Sequence, residues 1–152
     1  MRRFGLLSMI ALAALLLSCG KEEAPQGGDS AENMTLDPAS PTFGIYQTLR
    51  AMGFSDVTAT GTVSHPFFPV EGTRFSVIGR DMETFEFESK EEADKAAASI
   101  SPDGMTIDGK PAGWKASPHF FRSDKVLVVY IGDEPEMKAS IERALGRQFA
   151  GK

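Results

Sequence analysis

The alternation of apolar and polar positions changes character several times along this chain. Leu6 to Leu17 is an apolar run broken only by Ser8. From Gly20 to about Ser40 that pattern gives way to Gly, Pro, Ser and acidic residues with few large apolar groups. Helical spacing then appears: Ser40 suits a cap, Pro41 a first turn, and Ile45, Leu49 and Met52 recur on one stripe before Gly53. Val57 to Val63 alternates apolar or small residues with threonine, which predicts a half-buried strand ended by Pro66 and Pro69. Thr73–Ile78 and Thr84–Glu88 read as two further strands joined by a turn near Gly79-Arg80-Asp81. In the second, Phe85 and Phe87 face one way and Thr84, Glu86 and Glu88 the other.

Ser89-Lys90-Glu91-Glu92 has the form of a capping box, opening a helix with Ala93, Ala96, Ala97 and Ile100 on one stripe. Ser101-Pro102-Asp103-Gly104 stops it, and Asp108-Gly109 marks a turn. A strand is expected from about Trp114 to Phe121, with a tight turn at Arg122-Ser123-Asp124. Val126 to Ile131 is apolar on both faces, as a central strand covered on each side would be. A last helix begins near Pro135, buries Met137, Ile141, Ala144 and Leu145, and ends at Gly146. The expected fold is α+β, a mainly antiparallel sheet of about five strands with three helices packed against it, in the order α-β-β-β-α-β-β-α. His65-Pro66-Phe67-Phe68 and Pro118-His119-Phe120-Phe121 also suggest a duplicated β-β-α unit.

Arg2 and Arg3, the apolar run and the small residue before Cys19 have the grammar of a cleaved secretory signal. The run falls short of the roughly 20 apolar residues that a spanning helix needs. Leu16-Leu17-Ser18-Cys19 resembles the lipobox of bacterial lipoproteins. That resemblance implies a palmitate-type lipid on Cys19 as the mature N-terminus, and with Gly20 following, an outer membrane facing the periplasm in a double-membraned organism. The organisation is then 1–18 signal peptide, 19–40 lipid-acceptor cysteine and flexible linker, and 41–152 one small domain.

Net charge is −5, and loss of Arg2 and Arg3 with the signal makes it −7. An acidic domain without basic clusters argues against nucleic acid as a partner. Cys19 is the only cysteine, so its lipidation leaves no thiol for a disulfide or for catalysis.

Ser101-Pro102-Asp103-Gly104, Pro118-His119-Phe120-Phe121, Val129-Tyr130-Ile131-Gly132 and Phe149-Ala150-Gly151 resemble a group of small uncharacterised bacterial lipoproteins, a likeness that implies no activity. No Gly-x-Ser-x-Gly elbow occurs, no Ser-x-x-Lys pattern falls within residues 41–152, and there is no zinc or calcium-loop spacing. No catalytic, metal or cofactor residue is therefore assigned. His65 and His119 read first as residues bridging core and surface, and otherwise as a pair converging with a carboxylate. The candidate binding patch is aromatic: Phe67, Phe68, Trp114, His119, Phe120, Phe121 and Arg122, of which most are expected to be core. The expected role is a membrane-anchored, non-enzymatic binding module for an envelope protein or component. A small-molecule or lipid-binding domain with an apolar pocket is the alternative, and a hydrolase the third reading.

Overall fold

Ser40 sits in extended backbone and its hydroxyl accepts from the Phe43 amide at 3.1 Å, so α1 (Pro41–Ala51) starts with its proline in the first turn. The computed structural model describes residues 34–151; the expected signal peptide and lipid-acceptor Cys19, with the rest of residues 1–33 and Lys152, lie outside the described residues. After α1 come β1 (Val57–Val63), β2 (Gly72–Val77), β3 (Arg80–Glu86), α2 (Lys90–Ala98), β4 (Thr106–Ile107), β5 (Lys110–Pro111), β6 (Pro118–Ser123), β7 (Val126–Ile131), α3 (Pro135–Leu145) and β8 (Ala150–Gly151). Six strands form one antiparallel sheet in the order β1-β2-β3-β7-β6-β8, and β4 and β5 make a separate small hairpin. The fold is α+β with three helices, in the order the sequence predicts. The two-residue strands β4, β5 and β8 are additions, too short to carry an alternating pattern.

Helices cover both faces of the sheet. Ile45 and Leu49 of α1 and Met137 and Ile141 of α3 pack with Phe75, Met82, Phe121, Val128 and Tyr130 on one face. Ala93 of α2, Ile100 and Ile107 pack with Phe85, Phe87, Phe120, Leu127 and Val129 on the other. β7 lies between β3 and β6 with its first five residues buried, which explains its uninterrupted apolar sequence. The Ser89 hydroxyl caps α2 by accepting from the Glu92 amide at 3.2 Å.

Several expectations change. The β2–β3 turn is Ile78-Gly79, both left-handed, so β3 starts at Arg80 and not at Thr84. An isoleucine at φ 51° is strained, and its amide is held by donating to the Asp56 carbonyl at 2.8 Å. β6 starts at Pro118, so Trp114 belongs to the loop before it, and the β6–β7 turn centres on Asp124 and Lys125. Residues 34–40, assigned to the linker, are part of the folded unit. The Met34 amide donates to the Ala59 carbonyl at 3.0 Å, and Met34 and Leu36 pack on the α1/α3 core. The duplication reading also fails. His65 follows β1 in a loop while His119 lies inside β6, and α2 and α3 occupy opposite faces of the sheet.

Candidate functional site

Glu83 stands on the same side of β3 as Phe85 and Phe87, which turns a carboxylate into the α2 face of the sheet. Its side chain is only 4% exposed. An unpaired charge there would cost several kcal/mol, and both of its oxygens are satisfied. The β2–β3 register sets Arg74 directly opposite, and Arg74 Nε and Nη2 donate to Oε1 at 3.4 and 3.3 Å. His65, two residues past the end of β1, places Nε2 at 2.7 Å from Oε2. A carboxylate only accepts, so Nε2 carries the hydrogen and donates.

Aromatic neighbours fix the imidazole. His65 stacks on Phe67 with ring centres 4.9 Å apart, and Trp114 meets it edge-on at 5.1 Å. The Trp114 indole N–H donates to the Gly104 carbonyl at 2.9 Å, so the Ser101–Gly104 turn sets the position of this ring. That turn is braced by Ser101 Oγ donating to Asp103 Oδ1 at 2.7 Å and by the Gly151 amide donating to the Pro102 carbonyl at 3.0 Å. The result is a pocket of about 210 Å³ lined by His65, Arg74, Asp81, Glu83, Gly113, Trp114, Lys115 and Ile131. Larger and more open grooves lie elsewhere, among them two of over 500 Å³. One runs between residues 34–38, α1 and β1, and the other runs along α2 beside Phe67 and Val70.

The other histidine has a different task. His119 is 3% exposed, its ring stacked on Tyr130, with Nε2 at 2.9 Å from the Gly132 carbonyl and Nδ1 at 3.1 Å from the Gln148 side-chain amide. It ties β6 to the end of β7 and to the segment leading into β8. The histidines therefore lie on opposite faces and do not converge. Among the described residues no group of three or more His, Cys, Asp or Glu side chains is placed to hold a metal ion.

The predicted aromatic patch does not form one surface. Phe68, His119, Phe120 and Phe121 are buried, with Phe121 in the α1/α3 core and Phe68 and Phe120 in the α2 core. Arg122 is exposed and paired with Asp94, which also meets Lys90 of α2 at 2.6 Å. The Lys90 hydrogen bond, and then the Arg122 charge, hold the Asp94 carboxyl below its ordinary range. Of the seven residues, Trp114 lines the pocket and Phe67 backs His65.

A second polar group lies at the end of β7. The Tyr130 hydroxyl donates to Glu134 Oε2, and Arg80 Nη2 meets Glu134 Oε1 at 2.6 Å. Burial, reinforced by this hydrogen bond, pushes the Tyr130 phenol up to about 12. The same bond, aided by Arg80, holds the Glu134 carboxyl below its usual value. Gly132 makes the approach feasible, since a Cβ there would lie 2.5 Å from the Tyr130 hydroxyl and 2.8 Å from Glu134 Oε2.

Comparison with protein-family models, with curated proteins and with solved structures finds no match for this chain. The functional reading therefore rests on the geometry of the His65–Glu83–Arg74 pocket.

Proposed function

We propose that this chain is a lipid-anchored protein of the cell envelope whose domain is a non-enzymatic binding module, with the His65–Glu83–Arg74 pocket as its ligand site. The observation that carries this reading is Glu83: a buried carboxylate, paired through both oxygens, beside an indole held in place from a separate turn. Buried polar clusters in concave sites are where ligands gain orientation and specificity. With the aromatic side chains largely internal, a small molecule suits the site better than a broad protein surface. The lipid on Cys19 would hold this module at a membrane. No helix of the described residues is long and apolar enough to cross one.

Two measurements test the reading. Cells fed a palmitate analogue should label the wild-type chain and leave Cys19→Ser unlabelled; an unlabelled wild type removes the anchor. Native mass spectrometry of protein released from its own membrane should show a retained small molecule, lost in Trp114→Ala. A protein partner recovered by cross-linking, with an empty pocket, would replace the small-molecule reading.

A further inference from the structure

The charges around the pocket point to the chemistry of its occupant. Arg74 and Glu83 neutralise one another within the wall. That leaves Asp81 and Lys115 as the charged groups facing the same space. Among the described residues neither enters an ion pair or a side-chain hydrogen bond. They come from separate parts of the chain: Asp81 lies two residues before Glu83 on β3, and Lys115 follows Trp114 in the loop before β6. The pocket thus offers one free carboxylate and one free ammonium, with Trp114 and Ile131 as apolar lining.

A net anion or a net cation would satisfy one of these groups and leave the other unanswered. A molecule carrying both charges close together answers both. Size narrows the class further. At about 210 Å³ the pocket is smaller than the roughly 300–1,000 Å³ of sites that enclose drug-sized ligands. We infer that the pocket binds a small zwitterion, a free α-amino acid with an apolar side chain. Lys115 would hold its carboxylate, Asp81 its ammonium, and Trp114 and Ile131 its side chain. This inference rests on the pocket being a ligand site, as proposed above.

Trp114 is the only tryptophan, so its emission reports on the pocket in the full chain. L-leucine titrated into the full chain in detergent should change Trp114 emission saturably, with a heat of binding in calorimetry. N-acetyl-L-leucine, which lacks the ammonium, and L-leucinamide, which lacks the carboxylate, should bind at least about tenfold more weakly. Asp81→Asn should weaken L-leucine by about tenfold without affecting L-leucinamide's deficit, and Lys115→Gln should do the converse. Both positions are exposed, so these variants should fold, and Lys138→Gln on α3 should bind as wild type. Equal binding of N-acetyl-L-leucine or L-leucinamide would overturn the zwitterion assignment. So would failure of L-leucine and other apolar amino acids alongside retention of a different small molecule, an outcome that leaves the binding-module reading intact. If no small molecule of any kind binds, the zwitterion assignment and the pocket's role as a ligand site both fall.

Discussion

Tyr130 and Glu134 show how one hydrogen bond shapes two titrations. The folded phenol ionises near 12, whereas an unfolded chain ionises it near 10. Between these values the unfolded state has lost a proton that the folded state keeps, so stability should fall as pH rises from 10 to about 12 and then level off. For Glu134 the sign is reversed. Its folded carboxyl is held down, so its contribution is present above the ordinary 4.5 and is lost as pH falls through the lowered value. In a Tyr46→Phe background the ultraviolet absorbance of tyrosinate follows Tyr130 alone, and Glu134→Gln should bring its titration only part of the way back toward 10, because burial is the larger cause. A Tyr130 that titrates normally in the parent would refute the assignment. His119 carries a separate stability prediction: His119→Phe leaves the Gly132 carbonyl and the Gln148 amide without partners and should cost about 1–3 kcal/mol in urea denaturation. At this scale Glu83 was the least legible residue. Counting back from Phe87 and Phe85 by twos puts it on the buried face, yet a carboxylate in a strand reads as solvent-facing until its partners are known. Arg74 becomes its neighbour only once the turn is known to be two residues long, and that turn uses an isoleucine in a left-handed conformation, which sequence preference does not suggest.

Among the elements, helices were the most readable because their ends carry their own chemistry. Ser40 and Ser89 each cap with a hydroxyl, and Gly146 at φ 93° closes α3. Ser89→Ala should cost about 1 kcal/mol, measured by thermal unfolding. β8 was illegible, since two residues hold no period. Its position depends on Gly151, which sits at φ 109° with no room for a Cβ against the Pro118 carbonyl. Gly151→Ala should therefore strain the backbone and push β8 from β6, with a loss of at least about 1–2 kcal/mol. Because the Gly151 amide also holds the Ser101–Gly104 turn that anchors Trp114, the same change should shift Trp114 emission toward that of an exposed indole. Unchanged emission would show that the turn holds the ring without β8. Four short segments converge here: the Ser101–Gly104 turn, β6, the end of β7 and β8 brace one another around His119 and Trp114.

For the molecule as a whole, the folded unit reaches back at least to Met34, earlier than composition suggests. Residues 34–40 look like linker because Met34 and Leu36 are their only large apolar side chains, yet both pack on the core. A chain starting at Pro41 should be less stable than one starting at Met34 by about 1–3 kcal/mol in urea unfolding; equal stabilities would return the segment to the linker. The order β1-β2-β3-β7-β6-β8 has a further consequence for how the chain folds. β2 with β3, and β6 with β7, are hairpins closed by two-residue turns and can form from local contacts alone. They become one sheet only along β3 and β7, where Phe85 meets Leu127 and Thr84 meets Val128 across more than forty residues of chain. That seam carries most of the entropy of loop closure, so it should set the refolding rate. Truncations of Leu127 or Val128 should then slow folding far more than equally destabilising changes in α1, which would mainly speed unfolding.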